Sequence, residues 1–397
     1  MNRNSQDHDD RSAAPAALGD LLHAAPAQAP VTMALLAANV LVFLAMLLNG
    51  ASLWHGNTTV PLQWGANFGP ATQDGQWWRL GSALFLHFGI IHLMLNMWAL
   101  WDVGRLIEQL FGRWRFITLY LGSGIIGNLL SLALQGNQAV SGGASGAIFS
   151  LYGALVVFLL RERRQVDPGE FRWLFGASSA FIVLALVMGF LVPGIDNGAH
   201  FGGLVAGALL SLVLARRWTR TSPHRRTTRT IAGTVLAAAT AALIMLIPAP
   251  SYRLGEELLA RQAITRFLQQ DQYISQQWES ILGQGQKGQL SFEQIAGRID
   301  DKVTTPYQQS FEQLSDLHLD AAAPSAQALE VLRAYAARRT DASQALSEGL
   351  RDRDAEKIRK ALESARQAPA MARGGASAPE AAPPPSRPAS GAAQPMR

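Results

Sequence analysis

Residues 145–160 read SGAIFSLYGALVVFLL, a stretch of small and apolar residues without a charge. A bilayer core about 30 Å thick is crossed by about 20 residues of α-helix. Six further windows of this kind lie before residue 250, at 31–48, 92–110, 116–134, 173–192, 200–215 and 231–247. Because only helices satisfy their own backbone in lipid at these lengths, the sequence predicts an all-α polytopic membrane protein. It is expected to have seven transmembrane helices.

The remainder of the chain is polar. Residues 1–30 lack a cleavable signal pattern, so we interpret the first window as an uncleaved signal anchor. After residue 251, helical periodicity occurs in three stretches, and Ser291 with Gln294 fits a capping box. The predicted segments are a disordered cytoplasmic tail at 1–30, the first six transmembrane helices at 31–216, a basic cytoplasmic loop with the seventh transmembrane helix at 217–249, an extracytoplasmic helical domain at 250–369 and a disordered Ala/Pro-rich tail at 370–397.

The C-terminal helices are predicted from residue pattern alone. Their expected ranges are 256–282, 291–317 and 325–365, and the expected apolar face of the first comprises Leu258, Ile264, Phe267 and Trp278. A soluble module of this kind is suited to selecting substrates, binding an extracytoplasmic partner or joining copies of the chain.

Arginine residues cluster on one side of the predicted membrane helices. They follow the second, fourth and sixth windows, at Arg113, Arg115, Arg161, Arg163, Arg164, Arg172, Arg216, Arg217, Arg220, Arg225, Arg226 and Arg229. Short basic loops stay in the cytoplasm, so the N-terminus is predicted inside and residues 250–369 outside a bacterial inner membrane. The pI near 9.8 therefore reflects orientation in a lipid bilayer, and we expect no nucleic-acid partner.

Four polar residues lie where three apolar windows begin. His92 and Asn96 open the second window, Ser145 the fourth and His200 the sixth. Polar and ionisable groups inside a span are costly and are functional candidates by default. All three windows start on the outer side, so these groups share one depth near that face.

Ser145 and His200 have the residue types of a nucleophile and its base. A serine hydroxyl needs a base within hydrogen-bond reach, and neutral histidine is the usual one. Small residues let helices approach closely, so we expect Gly203 and Gly207 to bring the His200 helix against a glycine-containing partner such as 145–160. Asn96 follows His92 by four residues on one helix face. The predicted oxyanion donors are therefore the Asn96 amide, the His92 ring N–H and the Ser145 backbone N–H.

Several short motifs together resemble the rhomboid intramembrane serine proteases. They are Trp78-Arg79, the segment HFGIIHLMLNMWAL with His87, His92 and Asn96, the segment Gly143-Ala144-Ser145-Gly146, and Ala199-His200-Phe201-Gly202-Gly203 with Gly207. The resemblance covers about residues 63–208. It implies a six-helix core, here followed by a seventh transmembrane helix, and a Ser–His dyad without an acidic third member. It also implies hydrolysis of peptide bonds in or near transmembrane segments of membrane proteins. Such chemistry uses no metal and no cofactor.

Details beside the dyad are also predicted. Where several relatives have a Tyr that stacks on the catalytic His, this chain has Phe149, which keeps the ring and loses the hydroxyl. His87 is assigned either a hydrogen bond that positions its loop or a substrate contact. Trp78-Arg79 is interpreted as an interfacial anchor. Deep in the second window, Asp102 is expected to pair with Arg105, with Glu108 nearby.

Other chemistries fit the sequence less well. Cysteine is absent, no histidine is followed by glutamate as in zinc proteases, and Asp102 is the only aspartate inside a predicted span, with Asp196 in an outer loop. A catalytically silent relative that binds membrane clients remains an alternative, although this chain keeps Ser145 and His200. A transporter is a second alternative, but transporter sites lie near the midplane and often come with repeats.

Overall fold

A computed structural model describes residues 29–54, 58–135, 139–214 and 224–375 of the 397-residue chain. The chain divides into two compact units, Met1–Ala249 and Pro250–Arg397, and each is treated by itself. Most of the predicted N-terminal tail, residues 376–397 of the C-terminal tail and residues 215–223 of the predicted basic loop lie outside the described residues.

The first unit is built from long apolar helices. Within the described residues, seven are long and apolar enough to cross a membrane: α1 (Pro30–Leu48), α2 (Ile90–Phe111), α3 (Arg113–Gln135), α4 (Ser145–Glu162), α5 (Pro168–Leu191), α6 (Asn197–Leu214) and α7 (His224–Leu246). The predicted all-α polytopic membrane fold is confirmed. Helix α7 already includes Arg226 and Arg229, which the sequence analysis placed among the loop arginines.

Glycines let α6 lie directly against the backbones of α3 and α4. A Cβ on Gly203 would stand 2.0 Å from the Gly146 carbonyl oxygen, and one on Gly207 would stand 2.2 Å from that of Ser150. On the other side, a Cβ on Gly127 of α3 would meet the backbone of α6 at 2.6 Å. Real Cβ atoms do not come this close, so the three-helix packing requires glycine at these positions.

The segment joining α1 to α2 is folded around a buried arginine. Three short helices, Thr59–Gln63, Gly69–Thr72 and Arg79–Ser82, lead into it. Nη1 of Arg79 donates to the carbonyl oxygens of Leu62, at 2.7 Å, and Ala66, at 3.0 Å. Burial lowers the pKa of Arg79 from its ordinary value. The interfacial-anchor interpretation is therefore wrong for Arg79, which is 5% exposed and holds the loop together.

Glu108 joins the first two spans at one end. Its carboxylate accepts hydrogen bonds from the backbone N–H groups of Val31, at 3.1 Å, and Thr32, at 2.8 Å, and from the Thr32 hydroxyl. The first N–H groups of a helix have no partner within that helix. A residue of α2 therefore caps α1.

The expected pairing of Asp102 with Arg105 is not formed. Asp102 accepts a hydrogen bond from the Tyr152 hydroxyl of α4 at 3.2 Å, and the Arg105 guanidinium lies over the Trp101 ring, 4.6 Å from its centre. The Asp102 carboxylate thus accepts a hydrogen bond from a neighbouring helix, and the Arg105 cation packs on an aromatic ring.

The second unit is also helical. It contains α8 (Leu254–Gln286), α9, α10 (Ala326–Asp352) and α11 (Ala355–Gly375). Helix α9 consists of Phe292–Ile299, a π-helical turn at Asp300–Thr304 and Thr305–Ser315. The single helix expected at 325–365 is instead two, because Arg353 adopts a left-handed conformation with φ 56° and ends α10. Helix α11 continues to Gly375, beyond the helix end predicted at 365 and the domain end predicted at 369.

A polar contact lies inside the core of this unit. The hydroxyls of Tyr307 and Tyr335 both donate to one oxygen of Asp271, at 2.7 and 2.8 Å. Burial raises the pKa of both tyrosines. The capping box of Ser291 and Gln294 is confirmed, with both reciprocal bonds present. On the predicted apolar face, Ile264 and Phe267 are buried and Trp278 is partly buried, whereas Leu258 is exposed.

Replacing Gly207 with alanine tests the glycine packing. We expect Gly207→Ala to destabilise the membrane unit by roughly 1–3 kcal/mol, because overpacking pushes α6 away from α4. Gly176→Ala is the control, since a Cβ at Gly176 on α5 meets no atom within 4 Å. Thermal unfolding of the purified protein in detergent measures both variants. Equal melting temperatures for the two would contradict the packing described here.

Candidate active site

Ser145 is the first residue of α4, directly after a glycine turn. Gly143 has φ +140°, a backbone conformation that favours glycine, and its N–H donates to the Ala83 carbonyl oxygen at 2.8 Å. The turn therefore fixes where α4 begins. The first N–H groups of a helix are unpaired and carry partial positive charge, so the Ser145 backbone N–H is suited to binding an anion.

His200 lies in the first turns of α6 and packs on an aromatic ring. Its imidazole is 6% exposed and stacks on Phe149, with ring centres 4.3 Å apart and planes 12° from parallel. Its Nδ1 atom is buried without a hydrogen-bond partner in the described part of the chain. Stacking on Phe149, four residues after Ser145, thus orients this ring without a carboxylate.

The helices bearing Ser145 and His200 touch beside these two residues. A Cβ on Gly146 would lie 3.5 Å from Cβ of Ala199, the residue before His200. No hydrogen bond joins the Ser145 hydroxyl to the His200 ring among the described residues. Nucleophile and base contacts are often long without substrate and tighten when it binds. The packing places the backbone segments that carry the two groups side by side.

His92 points a ring N–H toward the start of α4. The backbone N–H of Phe88 donates to its Nδ1 at 3.5 Å, an arrangement that favours the tautomer with the ring proton on Nε2. Nε2 lies 2.9 Å from the position that a Cβ of Gly143 would take, and Ser145 Oγ lies 3.7 Å from that same position. The absence of a side chain at Gly143 thus makes room for this donor beside the Ser145 hydroxyl.

Asn96 lies one helical turn below His92 and is 6% exposed. Its Nδ2 atom donates one hydrogen bond to the His92 carbonyl oxygen, at 2.9 Å. A side-chain amide has two N–H bonds. One fixes the orientation of the group on α2, and the other is available to a ligand.

His87 is buried beside His92. Its ring is 1% exposed and meets the His92 ring edge to face, with centres 5.0 Å apart. Burial, together with the neighbouring His92, lowers the pKa of His87 to about 3, so its ring is neutral around pH 7. Neither ring nitrogen of His87 has a hydrogen-bond partner among the described residues, so the predicted loop-positioning hydrogen bond is not formed and the ring instead packs beside His92. The substrate contact stays a prediction.

Asp196 is part of this region, and the sequence analysis assigned it no role. Its carboxylate accepts hydrogen bonds from the hydroxyls of Ser131 and Ser141, from Nε2 of Gln135 at 2.8 Å and from the backbone N–H of Ala199 at 2.9 Å. Asp196 therefore caps α6. An aspartate just before an apolar helix is a recognisable cap signal, but its other partners lie 55 to 65 residues away in sequence.

The chain resembles known proteins over this same region. The Rhomboid domain family matches residues 74–217. The rhomboid protease GluP of Bacillus subtilis (strain 168) is 36% identical over 183 residues, which are 46% of this chain and 34% of GluP. RHOMBOID-like protein 5 of Arabidopsis thaliana is 42% identical over 146 residues, 36% of this chain and 46% of that protein. The match thus spans less than half of either relative.

Another relative is matched almost throughout its length. The rhomboid-type protein YdcA of Bacillus subtilis (strain 168) is 32% identical over 190 residues, which are 47% of this chain and 90% of YdcA.

Removing the Phe149 ring tests the orientation of His200. We expect Phe149→Ala to lower the reaction rate of Ser145 with a fluorophosphonate at least tenfold, because the unsupported imidazole leaves its position and small misplacements are costly. Phe149→Tyr keeps the stacked ring and most of the rate. Phe158→Ala is the control, since Phe158 is a buried ring of α4 that packs on Phe111. A similar loss in both alanine variants would contradict a specific role for Phe149.

Proposed function

The chain belongs to the rhomboid family, and we propose that it is an intramembrane serine endopeptidase with Ser145 as nucleophile and His200 as general base. Its proposed substrates are membrane proteins, cut in or near their transmembrane segments. One observation carries the proposal: the ends of three neighbouring helices gather a serine at a helix N-terminus, a stacked histidine and two side-chain N–H donors. These are the parts that acyl transfer needs.

The dyad performs the proton transfers. His200 takes the proton of the Ser145 hydroxyl as Oγ attacks the substrate carbonyl carbon, and a tetrahedral intermediate forms. The imidazolium then gives this proton to the leaving amine, and the C–N bond breaks. Water enters, His200 takes its proton, and the oxygen attacks the acyl carbon to form a second tetrahedral intermediate. The ester C–O bond then breaks, the imidazolium returns the proton to Ser145 Oγ, and the second product leaves with a new carboxyl group. The sequence of steps is complete with these groups and water, so no metal or cofactor is invoked.

Three N–H groups are proposed to bind the negative oxygen of the intermediate. They are the backbone N–H of Ser145, the Nε2–H of His92 and the free N–H of the Asn96 amide. The Phe88 N–H that occupies Nδ1 of His92 supports this role by placing the ring proton on Nε2. The bond from Asn96 to the His92 carbonyl holds the second donor on the same helix. Such preorganised donors act without reorganisation cost when charge develops.

The site is proposed to lie near the outer face of a bacterial inner membrane. The arginine clusters predict that α2, α4 and α6 begin on that side, where water for hydrolysis reaches the acyl-serine. In this orientation the N-terminus is cytoplasmic. Residues 250–369 are then an extracytoplasmic helical domain, and a partner in that compartment is a candidate ligand for it.

Removing the nucleophile or the base tests the proposed function. We expect Ser145→Ala and His200→Ala each to abolish cleavage of a model single-pass membrane substrate, because neither step of acyl transfer proceeds without them. The control is Ser150→Ala, a buried serine of α4 whose hydroxyl donates to the Ala147 carbonyl oxygen at 2.6 Å. Cleavage is measured with purified protein in proteoliposomes. Substantial cleavage by Ser145→Ala would refute the mechanism and favour a protein that only binds its clients.

A milder loss is expected for Asn96→Ala. Losing one oxyanion donor raises the barrier by about 2.7–4 kcal/mol, a fall in kcat of about 10²- to 10³-fold. KM should stay unchanged, since the lost bond forms only in the transition state. Steady-state kinetics on the same substrate measure both values. A wild-type kcat in Asn96→Ala would remove Asn96 from the oxyanion site.

A further inference from the structure

The loop that carries the nucleophile is held on two sides. Ser141, four residues before Ser145, pairs with Asn67 of the first loop through two backbone hydrogen bonds, each 2.8 Å. On its other side the Ser141 hydroxyl donates to Asp196. Asp196 caps the N-terminus of α6, four residues before His200. The side-chain bond therefore joins the loop of the nucleophile to the helix of the base.

None of the four groups that donate hydrogen bonds to Asp196 takes part in the proposed chemistry. Ser131 and Gln135 belong to α3, Ser141 precedes α4, and the Ala199 N–H belongs to α6. One carboxylate thus connects the ends of three elements. The glycine contacts fix how closely these helices approach one another. Contacts between bare backbone surfaces have no preferred direction, so they leave the helices able to slide along their axes. Directional hydrogen bonds at one end oppose such sliding.

We propose that Asp196 is a positioning residue that fastens the nucleophile loop to α6 and so sets the register between Ser145 and His200. This rests on the proposed function and adds a group that neither accepts the serine proton nor touches the substrate. Asp196 is not proposed as the third member of a catalytic triad, because Nδ1 of His200 is buried without a partner among the described residues.

Replacing Asp196 with asparagine or with alanine separates the effect of its hydrogen bonds from the effect of its charge. In Asp196→Asn, the amide oxygen can still accept from Gln135 and Ala199. Its NH₂ group can donate to Ser131 and Ser141, because serine hydroxyls both donate and accept. Asparagine also caps helices as well as aspartate does. Asp196→Ala removes every one of these bonds.

The test compares these variants with an aspartate that only caps a helix. Asp167 begins α5 and accepts from the N–H groups of Gly169, at 2.8 Å, and Glu170, at 3.2 Å. Purified full-length Asp196→Ala, Asp196→Asn and Asp167→Ala are assayed in detergent for kcat and KM on a model transmembrane substrate. Their folded fractions and rates of fluorophosphonate labelling are measured in parallel.

We expect kcat per folded molecule to fall about 10²-fold in Asp196→Ala, since a misplacement of about 1 Å costs about that much. KM stays within twofold, and labelling slows by the same factor as kcat. Asp196→Asn restores most of the lost kcat. Asp167→Ala lowers the melting temperature by a few degrees, as a lost cap does, and keeps the wild-type kcat.

A second pair of variants isolates the link to the loop. Ser141→Ala and Ser131→Ala each remove one hydroxyl from the same Asp196 oxygen, and both leave the cap on Ala199 in place. We expect about a tenfold larger loss of kcat in Ser141→Ala. Equal losses in this pair, or an Asp196→Ala variant with wild-type kcat per folded molecule, would overturn the proposal. If Asp196→Asn loses as much kcat as Asp196→Ala, the charge of Asp196 and not its hydrogen bonding is responsible, and the proposal also fails.

The outcome remains separable from that of the proposed function. If the wild-type protein neither cleaves nor is labelled at Ser145, the protease assignment itself fails. If it does both and Asp196→Ala matches it, only the role of Asp196 is refuted.

Discussion

The close approach of α3, α4 and α6 is the contact on which the remaining geometry depends. Lipid offers no hydrophobic force to drive helices together, so their association relies on dispersion and backbone proximity. Gly146, Gly203 and Gly207 provide this proximity, with backbone atoms where side chains would otherwise stand. The same contact sets Ala199 beside Gly146, and thereby places His200 and Ser145 on adjoining surfaces. The close contact between glycine backbones thus decides where the Ser145 and His200 side chains lie.

Several buried polar groups of the membrane unit form hydrogen bonds that connect separate parts of the chain. Arg79 binds carbonyl oxygens of its own loop, and Asp102 receives a hydroxyl from α4. Asp196 receives four donors from three elements. Unsatisfied polar groups are expensive in a low-dielectric surrounding. The cost of burial is therefore offset by bonds that also fix loops and helix ends, and the region around Ser145 is built from such bonds.

Sequence patterns predicted the spans because the length and apolar character of a membrane helix leave few alternatives. Ser145, His200, His92 and Asn96 were found through their shared depth, which depends only on where each window begins. The partners of Arg79 and Asp196 were not predictable in this way, because hydrogen bonds between distant segments leave no spacing signal. The break at Arg353 carries neither glycine nor proline, so a continuous helix was expected there. Leu258 satisfied the helical period yet remains exposed, since periodicity does not specify which neighbours cover a face.

The cap that Glu108 provides for α1 has a consequence for the order of assembly. The N–H groups of Val31 and Thr32 leave the ribosome long before the carboxylate that binds them, which follows 76 residues after Thr32. Until α2 has been synthesised and inserted, water at the membrane surface must solvate the start of α1. The start of α1 therefore receives its cap only once the second span is in place.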